Sequence, residues 1–197
     1  MGMSPLLPVL LAAAAGKFPP LDGRAVFLPP LPNGLSAVVS LTGRVYLATE
    51  HRIPDLDGFG AALRPEVLRQ LAGPTGEVGT LDVTLAASGL GGGTLPARPE
   101  LVDHPRARFA RTLRDAVRVY GDERGLVTVA VGLAGRTEIS VEAFRVGEGR
   151  QLIREARRLV PAGEPVFAAV APGNARSLRA FLADGFVPLG SEVIIHP

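Results

Sequence analysis

Two glutamates in the last third of the chain have carboxylates that could accept a proton. Glu138 and Glu142 lie on the polar face of a predicted strand, Thr137–Ala143, in which apolar and polar residues alternate. A carboxylate there can act as a general base through water if partial burial raises its pKa. The alternative is a solvent-facing carboxylate that pairs with an arginine on a neighbouring strand.

A pair of glycines, Gly147 and Gly149, follows this strand and precedes a predicted amphipathic helix. Backbone N–H groups at a helix N-terminus are unpaired and lie at the positive end of the helix dipole, which favours a phosphate. The same Gly-x-Gly spacing also occurs in ordinary turns. Leu152 stands where a dinucleotide-binding loop has its third glycine, and no Lys-Ser/Thr pair follows, so neither common nucleotide-binding motif is present.

The surrounding elements are predicted from periodicity and from helix-stop residues. The loop that contains Gly147 and Gly149, called the glycine-rich loop below, leads into a helix that ends at Pro161 and Gly163. A continuous apolar strand follows over residues 166–171. A second helix covers residues 175–183 and ends at Asp184-Gly185. Upstream, residues 117–120, 126–133 and 137–143 predict an antiparallel meander.

The segment from Asn174 to Gly185-Phe186 resembles the closing motif of the GNAT N-acetyltransferase superfamily: an asparagine after a strand, a short helix, then Gly-Phe. The order of strand, Gly147-x-Gly149 and helix is similar to the acyl-CoA pyrophosphate loop of that family. The resemblance covers about residues 117–197. It implies an α/β fold with a mixed, mostly antiparallel sheet flanked by helices.

The resemblance also implies an activity, acyl transfer from acetyl-CoA or another acyl-CoA to an amine of a small molecule or peptide. The loop would bind the diphosphate, the strand edge would pair with the pantetheine arm, and Asn174 would hydrogen-bond that arm. The implied cofactor residues are Val141, Ala143, Arg145, Val146, Gly147, Glu148, Gly149, Arg150, Asn174 and Ser177. Arg176 is a further candidate for a CoA phosphate, and Glu138 or Glu142 would serve as the base.

Two residues depart from the family pattern. Phe144 stands where the family's loop usually has arginine or glutamine, and Phe181 stands where many members have a tyrosine that protonates the leaving thiolate. Phe181 motivates the alternative of a non-catalytic GNAT-fold protein that binds acyl-CoA as a sensor or interaction domain. Phe144 motivates a third hypothesis, an interaction protein whose cofactor groove is vestigial.

The first half repeats part of this layout, because Gly58 and Gly60 precede a helix as Gly147 and Gly149 do, at an offset of 89 residues. One interpretation is a degenerate tandem of two GNAT-like halves, residues 1–100 on the acceptor side and residues 101–197 binding acyl-CoA. Chance similarity is the alternative. The glycines of residues 89–93 predict a linker or a mobile lid between the halves.

Composition excludes several classes of protein. A net charge of +2 is too small to indicate a nucleic-acid partner, and the basic helix predicted over residues 104–116 is expected to be solvated. The chain has no cysteine and three scattered histidines, so we expect neither disulfides nor a metal site. The apolar stretch over residues 5–16 is too short to span a bilayer. It predicts a packed or dimer-forming helix in a cytoplasmic protein.

Overall fold

The computed structural model describes residues 4–32 and 34–197 of the chain. Within that part the chain forms five α-helices and nine strands, which makes it an α/β protein. The helices are α1 (Leu6–Ala14), α2 (Pro65–Ala72), α3 (Pro105–Leu113), α4 (Gly149–Arg158) and α5 (Ala175–Ala183). The strands are β1 (Ala25–Leu28), β2 (Ser36–Leu41), β3 (Arg44–Ala48), β4 (Glu77–Ser88), β5 (Asp115–Asp122), β6 (Gly125–Val131), β7 (Thr137–Ala143), β8 (Pro165–Val170) and β9 (Val187–His196).

The chain divides into two compact units. One contains the described residues up to Thr84 together with Leu189–Pro197, and the other is Leu85–Pro188. This division differs from the expected boundary at residue 100, and it assigns most of β9 to the first unit. The first unit is therefore built from two separate stretches of the chain.

The first unit is organised on strands in the order β1-β3-β2-β9-β4. Strands β2 and β3 pair antiparallel as a hairpin, and β1 adds to β3 in parallel. The last strand, β9, pairs antiparallel with β2, joining residues 190–195 to residues 36–41. The core below these strands is formed by apolar residues of β2, β3, α2 and β9, including Val38, Leu47, Leu71 and Val193.

The repeated layout in the sequence does not correspond to a repeated strand order. In the second unit the strands on either side of the glycine-rich loop and helix, β7 and β8, are parallel neighbours. In the first unit the corresponding strands are β3 and β4, and both β2 and β9 lie between them. The two halves therefore share a local strand–loop–helix pattern and differ in topology.

The second unit contains the strand order β8-β7-β6-β5. Strands β5, β6 and β7 form the predicted antiparallel meander. Strands β7 and β8 are parallel and pair at Glu138 opposite Phe167. Helix α4 joins these two strands and buries Leu152, Ile153 and Ala156. The pairs of strands thus fit the expected mixed, mostly antiparallel pattern.

The glycine segment of residues 89–93 is hydrogen-bonded to the end of α4 and to the turn that follows it. The N–H groups of Leu90, Gly91 and Gly93 donate to the carbonyls of Arg157, Val160 and Arg158, at 2.9 Å each. Helix C-termini leave their last carbonyls unpaired, and this segment satisfies three carbonyls there. The expectation of a linker or mobile lid is therefore wrong for this segment.

The apolar stretch near the start forms α1, whose Leu6, Leu10 and Ala13 are buried, as expected for a packed helix. In the described part of the chain, no helix is both long enough and apolar enough to cross a membrane.

Candidate functional site

A cavity of about 440 Å³ opens in the second unit, where β7 runs into the glycine-rich loop. Ligand-binding pockets in proteins have volumes of about 300–1,000 Å³. Its lining comes from β7, the loop, α4, α5 and one residue of α3. These residues are Arg106, Val141, Glu142, Ala143, Phe144, Arg145, Val146, Gly147, Gly149, Arg150, Ile153, Asn174, Arg176, Ser177 and Ala180.

The wall formed by β7 has backbone groups that pair with no strand in the described part of the chain. The N–H of Phe144 donates to the carbonyl of Arg124, on the β6 side of the strand. Because backbone groups alternate along a strand, those of Val141 and Ala143 face the β8 side. Among the described residues, β8 pairs with β7 opposite Glu138, and this pairing does not extend to Val141 and Ala143. The cavity therefore has an open strand edge as one wall.

The glycine-rich loop turns the chain sharply into α4. Gly147 has a φ of +99°, a conformation that glycine adopts without steric cost. Helix α4 begins at Gly149, where an added Cβ would lie 3.9 Å from Cβ of Ala143. The first N–H groups of α4 have no intrahelical acceptor, and the positive end of its dipole lies at the cavity. This end of the cavity suits an anionic group.

The charged side chains that line the cavity are mostly positive, as is the N-terminal end of α4. Arg145, Arg150 and Arg176 are exposed, and none of them forms an ion pair with a carboxylate of residues 4–32 or 34–197. Glu142 is the only carboxylate in the described lining, and its Oε2 lies 3.4 Å from Nε of Arg106. A concave surface with this excess of guanidinium groups attracts anions such as phosphates.

On the opposite wall, Asn174 caps α5. Its side-chain oxygen accepts the N–H of Ser177 at 3.1 Å, which satisfies one of the unpaired donors at the start of this helix. The cap fixes the asparagine side chain at the cavity wall and leaves its amide nitrogen available to donate to a ligand.

Glu138 is not a cavity residue, and its expected role as a base must be corrected. Its side chain is buried, forms ion pairs with Arg114 and Arg136, and accepts the N–H of Leu133 at 3.0 Å. Burial by itself raises the pKa of this carboxyl, but the charges of Arg136 and Arg114 outweigh burial and hold the pKa at about 2. An ionised carboxylate with both oxygens engaged is a structural group in this unit.

Glu142 lies on the same strand but is half-exposed at the cavity, beside Arg106. Of the two predicted catalytic carboxylates, it is the one that the structure brings together with the predicted cofactor residues.

Glu148 and Phe181 lie outside the cavity lining, unlike several of their neighbours in the sequence. Glu148 precedes α4 and is outside the lining, and its buried Oε2 has no hydrogen-bond partner in the described part of the chain. Phe181 is buried and meets Phe186 edge-to-face, with 4.9 Å between the ring centres. Phe181, which departs from the pattern of the resembled family, is therefore part of the core.

Four lining residues were not predicted as site residues: Arg106, Phe144, Ile153 and Ala180. Ile153 and Ala180 belong to helices whose apolar spacing indicated only core packing. Arg106 belongs to the basic helix α3 that was expected to be solvated, and the sequence contains no signal for which of its arginines faces the cavity.

No protein-family model matches this chain, and no curated protein is similar to it in sequence. Among solved structures, it is similar to a functionally unknown conserved protein from Staphylococcus epidermidis, with 12% sequence identity. That match covers 77% of this chain and 71% of the other, with a TM-score of 0.42.

Proposed function

We propose that this chain is an acyl-CoA-dependent N-acyltransferase, with acetyl-CoA as the donor and a small molecule or peptide as the amine acceptor. The main support is the composition of the cavity. Nine of the ten residues implied by the resemblance to the GNAT superfamily line it, Glu148 being the exception. Those residues come from β7, the loop, α4 and α5, and together they form most of the cavity lining.

The cavity has groups suited to each part of acyl-CoA. The N–H groups at the start of α4, with Arg145, Arg150 and Arg176, would bind the diphosphate. The open edge of β7 at Val141 and Ala143 would pair with the two amides of the pantetheine arm, as an added strand would. The amide nitrogen of Asn174 would donate to the same arm.

The reaction transfers the acyl group from sulfur to nitrogen. The ammonium of the acceptor loses a proton to Glu142, and the free amine attacks the thioester carbonyl carbon. The C–N bond forms and the C–S bond breaks, while the nitrogen's second proton ends on the CoA thiolate. A backbone N–H on the open edge of β7 would stabilise the carbonyl oxygen as it gains charge. Glu142 is the proposed base because it is the carboxylate at the cavity.

One observation favours a second candidate, a protein that binds acyl-CoA without turning it over. Phe181 is buried against Phe186 and has no hydroxyl to protonate the thiolate, so the leaving group would depend on water. This candidate predicts the same binding of acetyl-CoA and no release of thiol in the presence of any amine.

The test is calorimetric titration of the whole chain with acetyl-CoA, followed by a thiol-release assay with a panel of amines. We expect saturable binding that weakens at least tenfold in a variant carrying Arg150→Gln and Arg176→Gln. The control is Arg179→Gln, an exposed arginine of α5 outside the lining, which should bind as the unmodified chain does. Absence of binding to the unmodified chain would overturn both candidates, whereas binding without thiol release would favour the second.

A further inference from the structure

The cavity is lined by residues from both faces of β7. Ala143 points to the α4 side, where its Cβ approaches Gly149. Glu142, its neighbour, points to the opposite side, because successive side chains of a strand alternate. Its cross-strand partner Leu126 packs there against Ala107 of α3, and Arg106 of the same helix approaches the Glu142 carboxylate. The α4 side carries the predicted cofactor groups, and the α3 side is left for the acceptor.

The α3 side presents two opposite charges next to each other. Arg106 Nε and Glu142 Oε2 are 3.4 Å apart, and their side chains are 37% and 38% exposed. The two terminal nitrogens of the Arg106 guanidinium contact no acceptor among the described residues. A half-exposed ion pair with one long contact contributes little to stability, so a ligand can replace it at small cost.

The location of Arg106 adds to its affinity for an anion. It is the second residue of α3, whose N-terminal dipole end favours negative charge, and its own N–H is held by Nδ1 of His104 at 3.3 Å. This cap fixes the first turn of α3 and hence the base of the Arg106 side chain. The free edge of the guanidinium has the fork geometry that binds a carboxylate through two hydrogen bonds.

We propose that the acceptor is a zwitterion of the amino-acid type, in which a carboxylate lies next to a primary ammonium group. Its carboxylate binds Arg106 and its ammonium binds Glu142. These two contacts with the ligand replace the contact between Arg106 and Glu142. Glu142 then receives the proton that the ammonium must lose before attack. This assignment rests on the proposed acyl transfer and adds the class of acceptor.

The test compares L-amino acids with the matching amino-acid amides, which keep the amine and lack the carboxylate. With acetyl-CoA at saturation, we expect kcat/KM for the free amino acid to exceed that for its amide by tenfold or more. Arg106→Gln should abolish this preference, mainly by raising KM for the amino acid. Arg108→Gln, on an exposed position of the same helix, should leave the preference intact. Equal use of amides, or an unchanged preference in Arg106→Gln, would overturn the proposal.

A second measurement separates this inference from the proposed function. Ligand-observed NMR with the same L-amino acids and amides, in the absence of any CoA, detects the two-charge site directly. Binding of amino acids but not amides, lost in Arg106→Gln, would support the zwitterion site even if acetyl-CoA does not bind. Binding of acetyl-CoA together with no binding or turnover of any amino acid would leave the acyltransferase proposal intact and overturn the acceptor assignment.

Discussion

The side-chain oxygen of Asn174 accepts the N–H of Ser177 at 3.1 Å, so a residue of the cavity wall also caps α5. The amide oxygen caps α5, and the amide nitrogen is the proposed donor to the cofactor. The two roles can therefore be separated by substitution. Asn174→Asp keeps the capping oxygen and removes the amide N–H donors, and it adds a negative charge near the phosphate-binding end.

We therefore expect Asn174→Asp to retain the stability of the unmodified chain and to weaken acetyl-CoA binding about tenfold. Asn174→Ala should lower both stability and acetyl-CoA binding. The lost cap should reduce the free energy of unfolding by about 1 kcal/mol. Urea unfolding and calorimetry on the two variants check this. Unchanged binding in Asn174→Asp would show that the amide nitrogen does not contact the cofactor.

Replacing each glutamate of β7 by glutamine should affect a different property, stability for Glu138 and activity for Glu142. Glu138→Gln removes the buried charge that pairs with Arg114 and Arg136, which costs about 3–5 kcal/mol of folding free energy. Glu142→Gln removes a half-exposed pair worth less than about 1 kcal/mol, yet it should lower kcat by about 10²–10⁴ if Glu142 is the base. Urea unfolding and thiol release measured on both variants would distinguish a structural carboxylate from a catalytic one.

Stability should fall in acid through Glu138. Its pKa in the folded chain is held at about 2 by the two arginines, below the ordinary value of 4.5 that it regains on unfolding. A carboxyl whose pKa is lower in the folded state stabilises that state above the unfolded pKa, and this contribution is lost as the pH falls. We expect the free energy of unfolding to decrease between about pH 4.5 and pH 2, and to decrease less in Glu138→Gln. Parallel pH profiles for the two proteins would contradict this.

The positive φ of Gly147 gives a way to disturb the loop without filling the cavity. An alanine there meets no atom within 4 Å, so its cost is backbone strain of about 1–2 kcal/mol. Gly163→Ala is the matched control, since Gly163 also has a positive φ and open space, and it lies outside the cavity lining. Both variants should lose similar stability, and only Gly147→Ala should bind acetyl-CoA more weakly.

Adjacent glycines of residues 89–93 should differ in their tolerance of alanine. A Cβ at Gly93 would lie 2.8 Å from the carbonyl carbon and oxygen of Arg158, whereas a Cβ at Gly92 meets no atom within 4 Å. The clash at Gly93 involves backbone, so α4 or the glycine segment must shift, at about 1–3 kcal/mol. Gly92→Ala carries only the strain of its φ of +70°. Thermal unfolding of both variants should rank Gly93→Ala as the less stable; the reverse order would contradict close packing at Gly93.

The parts of this molecule that the sequence predicts well are those set by local signals. The bounds of β7 and α5 follow from alternation, from the Asn174 cap and from the Asp184-Gly185 stop, each acting within a few residues. The gathering of the loop and Asn174 at one cavity was also expected, through the resemblance of the motif to a known family.

What could not be predicted depends on contacts between distant residues. Glu138 and Glu142 have the same spacing signal, and only the approach of Arg114 and Arg136 decides that one is buried and ion-paired. The contribution of Arg106 depends on how α3 crosses the strands. The glycine segment of residues 89–93 has the composition of a linker, and its role appears only when the end of α4 is present to accept its N–H groups.

The position of β9, after the whole second unit in the sequence, has a consequence for synthesis on the ribosome. This strand pairs with β2, although about 150 residues separate them in sequence, and it is the neighbour of both β2 and β4 in the first unit. Synthesis proceeds from the N-terminus, so the second unit emerges whole before the first can acquire its missing strand. The unpaired edges of β2 and β4 are exposed during that interval, and a nascent chain stalled before residue 189 would present them to chaperones or to other chains.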